Sequence, residues 1–170
     1  MNPLARRRVA AHALDCVSYL GIAAATVPAG LIATRAGLGK SRRFVVWASA
    51  IPVALATTVA TAAEARGATW GKHRLGLTVE RTEGGPLPIL SALARNVVKI
   101  AIPWQLGHVI AIGASHGGFK RPEPGLVAAS IATYGLVGVG LWGVLRDSGV
   151  TVHDMIAGSR VLPSEPDDRR

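Results

Sequence analysis

Most of the residue types on which catalysis and soluble folding draw are scarce in this chain. Its one cysteine, Cys16, rules out an internal disulfide and is most simply a small packing residue. The five histidines, His12, His73, His108, His116 and His153, include no pair three or four residues apart, so metal-ligand spacing is absent. Aromatic residues make up 5% of the chain, with neither a stacking platform nor finger spacing for nucleic acid. No Ser/His/Asp or Cys/His set can be assembled from spacing, and the sequence reads as a non-enzyme without cofactor or metal. Charge is also sparse. Charged residues are 17% of the total against 49% hydrophobic, and mean hydropathy is +0.34, too apolar for a soluble domain with a wet surface.

What the chain does have is long apolar runs. Four stretches, 9–33, 44–63, 97–115 and 126–145, reach the roughly 20 residues that cross ~30 Å of hydrocarbon. Each is bounded by charge, Gly or Pro clusters. The expected fold is an all-α integral membrane protein, a four-helix transmembrane bundle forming one domain over residues 1–162. Arg95 and Lys99 stand one helical turn apart at the start of the third run, where an interfacial helix beginning near Pro88 is the alternative. Residues 163–170, "PSEPDDRR", read as a disordered tail.

The formal charge of +9 belongs to the helix ends, which fits membrane topology and anionic lipid headgroups rather than nucleic acid. With the N-terminus inside, the inner segments carry eleven Lys and Arg and the outer loops six, so both termini are expected in the cytoplasm of an inner (plasma) membrane protein. Arg6 to Arg8 followed by an apolar run and small residues have the outline of a signal peptide, but Asp15 inside the apolar region and three further spans argue against cleavage.

Two look-alike motifs carry little. "TRAGLGKS", Thr34 to Ser41, ends like a phosphate-binding loop but lacks the first glycine and follows a membrane span instead of a strand. "GVGLWG", Gly138 to Gly143, spells the dinucleotide fingerprint inside an apolar span, where small residues serve helix packing. Gly135, Gly138, Gly140 and Gly143 permit close packing within or between subunits, and homo-oligomerisation stays open.

The polar residues that remain are arranged. A carboxylate in an apolar helix costs roughly 2.5–3.5 kcal/mol at mid-bilayer on insertion scales, so Asp15 needs a partner or a function. Arg8, His12, Asp15, Tyr19 and Thr26 form a stripe along the first helix, with Arg8 and Asp15 nearly two turns apart on one face. Thr57, Thr58 and Gln105 fall at a depth similar to Asp15. Beyond the second span, Leu75, Leu77 and Val79 alternate as a short strand ending in a Gly-Gly turn, with which "GSRVLP" near the C-terminus could pair to form a small basic cytoplasmic cap.

These residues resemble the RDD family of multi-pass bacterial membrane proteins, named for one arginine and two aspartates. Arg8 and Asp15 match its first-helix pair, and Gly67, Thr69, Gly71, Lys72 and Gly76 match its G-x-T-x-G-K loop with a following glycine. Arg95 matches the arginine entering the next helix, and His153, Asp154, Ala157 and Gly158 match the closing motif. Met155 stands where that motif often has arginine, and the 126–145 span is additional to the more typical pattern. The resemblance implies transport only in general terms, with cation/proton antiport proposed for some members.

Two readings follow. In the first, a small cation or proton is carried at Asp15, Arg8 and Arg95 tune it, and Asp154 with Lys72 forms an inner gate. In the second, Arg8, Asp15, Arg95 and Asp154 are a structural charge lock in a non-catalytic scaffold or assembly factor. A membrane enzyme is the weakest alternative.

Overall fold

The computed structural model describes residues 2–120, 123–146 and 149–164. Residues 165–170, most of the expected disordered tail, lie outside them. Four long apolar helices dominate: α1 (Pro3–Arg35), α2 (Arg42–Glu64), a composite third helix and α6 (Pro124–Leu145). The composite helix is α4 (Ile89–Asn96), a π turn over Val97–Ala101, and α5 (Ile102–Ser115). Thus the third span and the helix beginning near Pro88 are one continuous rod. Its π turn precedes Pro103, which has no N–H to offer the Lys99 carbonyl.

The helices run alternately up and down. Helix α1 is 33 residues long, about 50 Å, so it overshoots a ~30 Å hydrocarbon core. Its surplus belongs to the end where the N-terminus, Glu64, Ile89 and Leu145 meet. At the opposite end Arg42 pairs with Glu123 at 2.8 Å, tying the start of α2 to the start of α6.

At the N-terminal end sits a small cap of α3 (Trp70–Arg74), β1 (Leu77–Arg81), α7 (Val152–Ala157) and β2 (Ser159–Pro163). The two strands pair antiparallel, with Val79 opposite Val161 and Leu77 opposite Pro163. Alternation puts Leu77, Val79 and Val161 inward, where they pack with Ala11 of α1, Leu87 and Ala92. Full burial of such an aliphatic side chain contributes about 1.5–3 kcal/mol, and this small core is what seats the sheet on the bundle.

Burial is inverted relative to a soluble domain. Leu20, Ile32, Trp47, Ile131 and Tyr134 are between 67% and 78% exposed, whereas Asp15, Glu64, Arg95 and Asp154 are at most 2% exposed. Apolar surface faces outward where hydrocarbon is the solvent, and the charges gather inside. Of the five α6 glycines, Gly143 alone makes a close approach, to Thr151 of the cap; Gly125, Gly135, Gly138 and Gly140 face open space.

Candidate functional site

The buried charges form one network at the capped end of the bundle. Asp15, two turns beyond Arg8 on α1, points at the start of α3. Its Oδ2 accepts from Thr69 Oγ1 at 2.6 Å and its Oδ1 from the Gly71 amide at 2.8 Å, with Lys72 Nζ 3.6 Å away. A carboxylate from one helix therefore caps the first turn of another, where unpaired N–H groups and the helix dipole favour negative charge. The approach requires glycine. A Cβ on Gly71 would overlap the Ala11 carbonyl and stand 2.8 Å from Asp15 Oδ1.

Glu64, the last residue of α2, is the second centre. Its Oε1 accepts from Lys72 Nζ at 2.8 Å and Lys99 Nζ at 2.7 Å, and its Oε2 from Asn96 Nδ2 at 2.9 Å. Arg95 Nε lies 3.5 Å from Oε2. The third centre is Asp154 of α7. Its Oδ2 accepts from Arg8 Nη2 at 2.7 Å and from Thr151 Oγ1 at 2.6 Å, and its Oδ1 is 2.8 Å from Arg95 Nη2. Arg95, 1% exposed, thus bridges the second centre to the third.

Burial would push the Asp154 carboxyl up, but the Arg95 and Arg8 guanidiniums, with His153, outweigh it and hold it down to about 2. Burial first and Arg95 second push the His153 imidazole down to about 3, so that ring is neutral near pH 7.

A cavity of about 350 Å³ adjoins the network, between α1, the π turn, α6 and the cap. Arg8, His12, Lys72, Arg95, Lys99 and His153 line it together with apolar residues of α1, the third helix and the two strands, and α6 contributes only apolar residues, between Leu136 and Val144. None of the three buried carboxylates reaches its wall.

The RDD family model matches residues 3–158. The chain belongs to the RDD family. No curated protein and no solved structure matches it. In this RDD-family chain the structure brings Arg8, Asp15, Lys72, Arg95 and Asp154 into the network, with His153 on the cavity beside them. The loop glycines shape the surroundings: the Gly67 carbonyl accepts from Val79 N at 2.6 Å, and the Gly76 carbonyl accepts from Arg7 Nη2 at 2.6 Å.

The pairings differ from those expected. Arg8 does not serve Asp15, because two turns, roughly 10 Å, separate them and Thr69 and Gly71 already occupy both Asp15 oxygens. Arg8 reaches Asp154 instead. The expected Lys72–Asp154 gate is also absent among the described residues, since Lys72 is drawn to Glu64 and Asp154 is held by two arginines. Gln105 and Thr57 stay away from Asp15: Gln105 bonds Val46 and Ser49 toward the far end of α2, and Thr57 bonds the Val53 carbonyl of its own helix. Sequence reasoning missed Glu64, Lys99, Asn96 and Thr151. Glu64 had a signal, being the sole acid between Asp15 and Glu80 and closing an apolar run of some 20 residues.

Proposed function

We propose that this RDD-type membrane protein is a non-catalytic module in which the buried network is a charge lock, clamping the G-x-T-x-G-K loop and the α7–β2 segment onto the inner ends of its helices. The single observation that carries this reading is the occupancy of the carboxylates. Asp15, Glu64 and Asp154 each accept from at least two donors of other elements or of a cap, and none lines the cavity. A carboxylate that exchanges protons or cations needs a route to water, and these three are enclosed by their own donors. The cap sits on the cytoplasmic side of the plasma membrane in this proposal, supported by the excess of Lys and Arg in the segments at that end.

Cation/proton exchange at Asp15 is the rival reading, and one comparison separates the two. Wild type and Asp15→Asn are reconstituted in liposomes at matched protein amount, and their thermal stability is measured beside cation-driven proton movement. The lock predicts no exchange by wild type and a less stable, less abundant variant. Exchange by wild type, lost in an equally stable Asp15→Asn protein, would replace the lock with transport.

A further inference from the structure

The lock leaves a surplus that it does not use. Four cations, Arg8, Lys72, Arg95 and Lys99, meet three carboxylates, Asp15, Glu64 and Asp154, in the described network. All four cations line the cavity while no carboxylate does, so the excess positive charge is presented to that space. Donor capacity is left over as well. Among the described residues Arg95 Nε makes no hydrogen bond, Glu64 Oε2 standing 3.5 Å away as its ion-pair partner, and the Lys99 ammonium, with three hydrogens, donates to Glu64 alone. An unpartnered buried donor beside uncompensated charge carries a desolvation cost that a bound anion would remove.

The α6 part of the lining narrows the class of anion. It is hydrocarbon from α6, including Val137 and Leu141, which are 48% and 53% exposed on the surface that faces lipid. A Cβ added at Gly140 would meet nothing within 4 Å, so the wall is open at that point. The cavity also lies at the capped ends of the helices, where the apolar spans give way to charge, and its volume of about 350 Å³ falls within the range of ligand sites. Arginine forks and a lysine point charge suit phosphate oxygens.

We infer that this cavity is a binding site for a phosphate group, with the basic residues of its lining holding the phosphate and the α6 part holding an attached hydrocarbon chain. An anionic phospholipid headgroup and a free phosphate share the first half of that chemistry. Only the lipid uses both parts of the lining. The inference goes beyond the charge lock and is read out by binding, so it stands or falls separately from the exchange assay.

The test uses the full chain purified in a non-ionic detergent. Thermal unfolding and native mass spectrometry are recorded with added phosphatidylglycerol, with phosphatidylcholine of the same acyl chains, or with inorganic phosphate. Two variants accompany wild type: Lys99→Gln, which removes the surplus charge, and Gly140→Leu, which fills the cavity from the α6 side without touching the ion pairs. The expected result is retention of phosphatidylglycerol about tenfold over phosphatidylcholine, with the preference lost in both variants. Stabilisation by inorganic phosphate that Lys99→Gln abolishes, without lipid discrimination, supports the phosphate site with a free anion as its source. Equal retention of the two lipids without a phosphate effect overturns the inference. So does a preference that survives in both variants, because the headgroup is then held elsewhere on the basic surface.

Discussion

Glu64 gathers more partners than any other side chain in the network, since Lys72, Lys99, Asn96 and Arg95 all turn toward it. Removing one member of a buried pair leaves the others charged and unpaired, at a cost of about 3–5 kcal/mol. Glu64→Gln is therefore expected to lower the thermal midpoint of the purified protein further than Asp15→Asn, because Asp15 is held mainly by the neutral donors Thr69 and Gly71. The reverse order would mean that the second centre is not the hub. Gly71→Ala adds one methyl where α3 touches the Ala11 carbonyl, and overpacking of this kind costs roughly 1–3 kcal/mol. Limited proteolysis of the 67–76 loop should report that loss, with faster cleavage in the variant than in wild type.

Short elements depend on the charges that hold them. Helix α7 spans six residues and α3 five, both far below the length at which isolated helices persist in water. Helix α7 closes its own start with a capping box, Thr151 and Asp154 exchanging bonds, and ends at Gly158 in the left-handed region, where φ is 57°. Thr151→Ala is expected to cost about 0.5–2 kcal/mol and to loosen β2, readable as faster amide exchange over residues 159–163. The same helix sets a pH dependence. His153 is neutral in the fold, so as pH drops below its ordinary 6.5 the unfolded chain gains a proton that the native state refuses, and stability falls until about pH 3. The contribution of Asp154 is complete above its ordinary 3.8 and is lost as pH falls toward about 2. A pH series of unfolding midpoints should decline from near neutrality downward. His153→Gln should flatten the part between about 6.5 and 4.

For the molecule as a whole, the inverted distribution of charge and hydrocarbon makes orientation testable from either side. In a Cys16→Ala background, a cysteine at Glu83 in the cap is expected to react with an impermeant maleimide only after cells are opened. One at Lys120 in the far loop should react in intact cells. Labelling in the opposite sense would turn the bundle over and place the cavity and its cations on the outer leaflet.

Membership of the RDD family, four membrane-spanning helices and a two-stranded cap were legible in the residues themselves. Hydrophobic run length answers to bilayer thickness, strand alternation answers to a half-buried sheet, and both are local properties of the chain. The partners of each charge were not local. Arg8 and Asp15 look paired along one helix, yet the folded chain gives Asp15 to α3 and Arg8 to α7, because elements 54 to 146 residues away arrive with better-placed partners. Glu64 and Lys99 read as ordinary boundary charges until the π turn sets Lys99 beside the end of α2. Coulomb attraction acts between whatever neighbours packing supplies, and packing across the bundle is decided only in three dimensions.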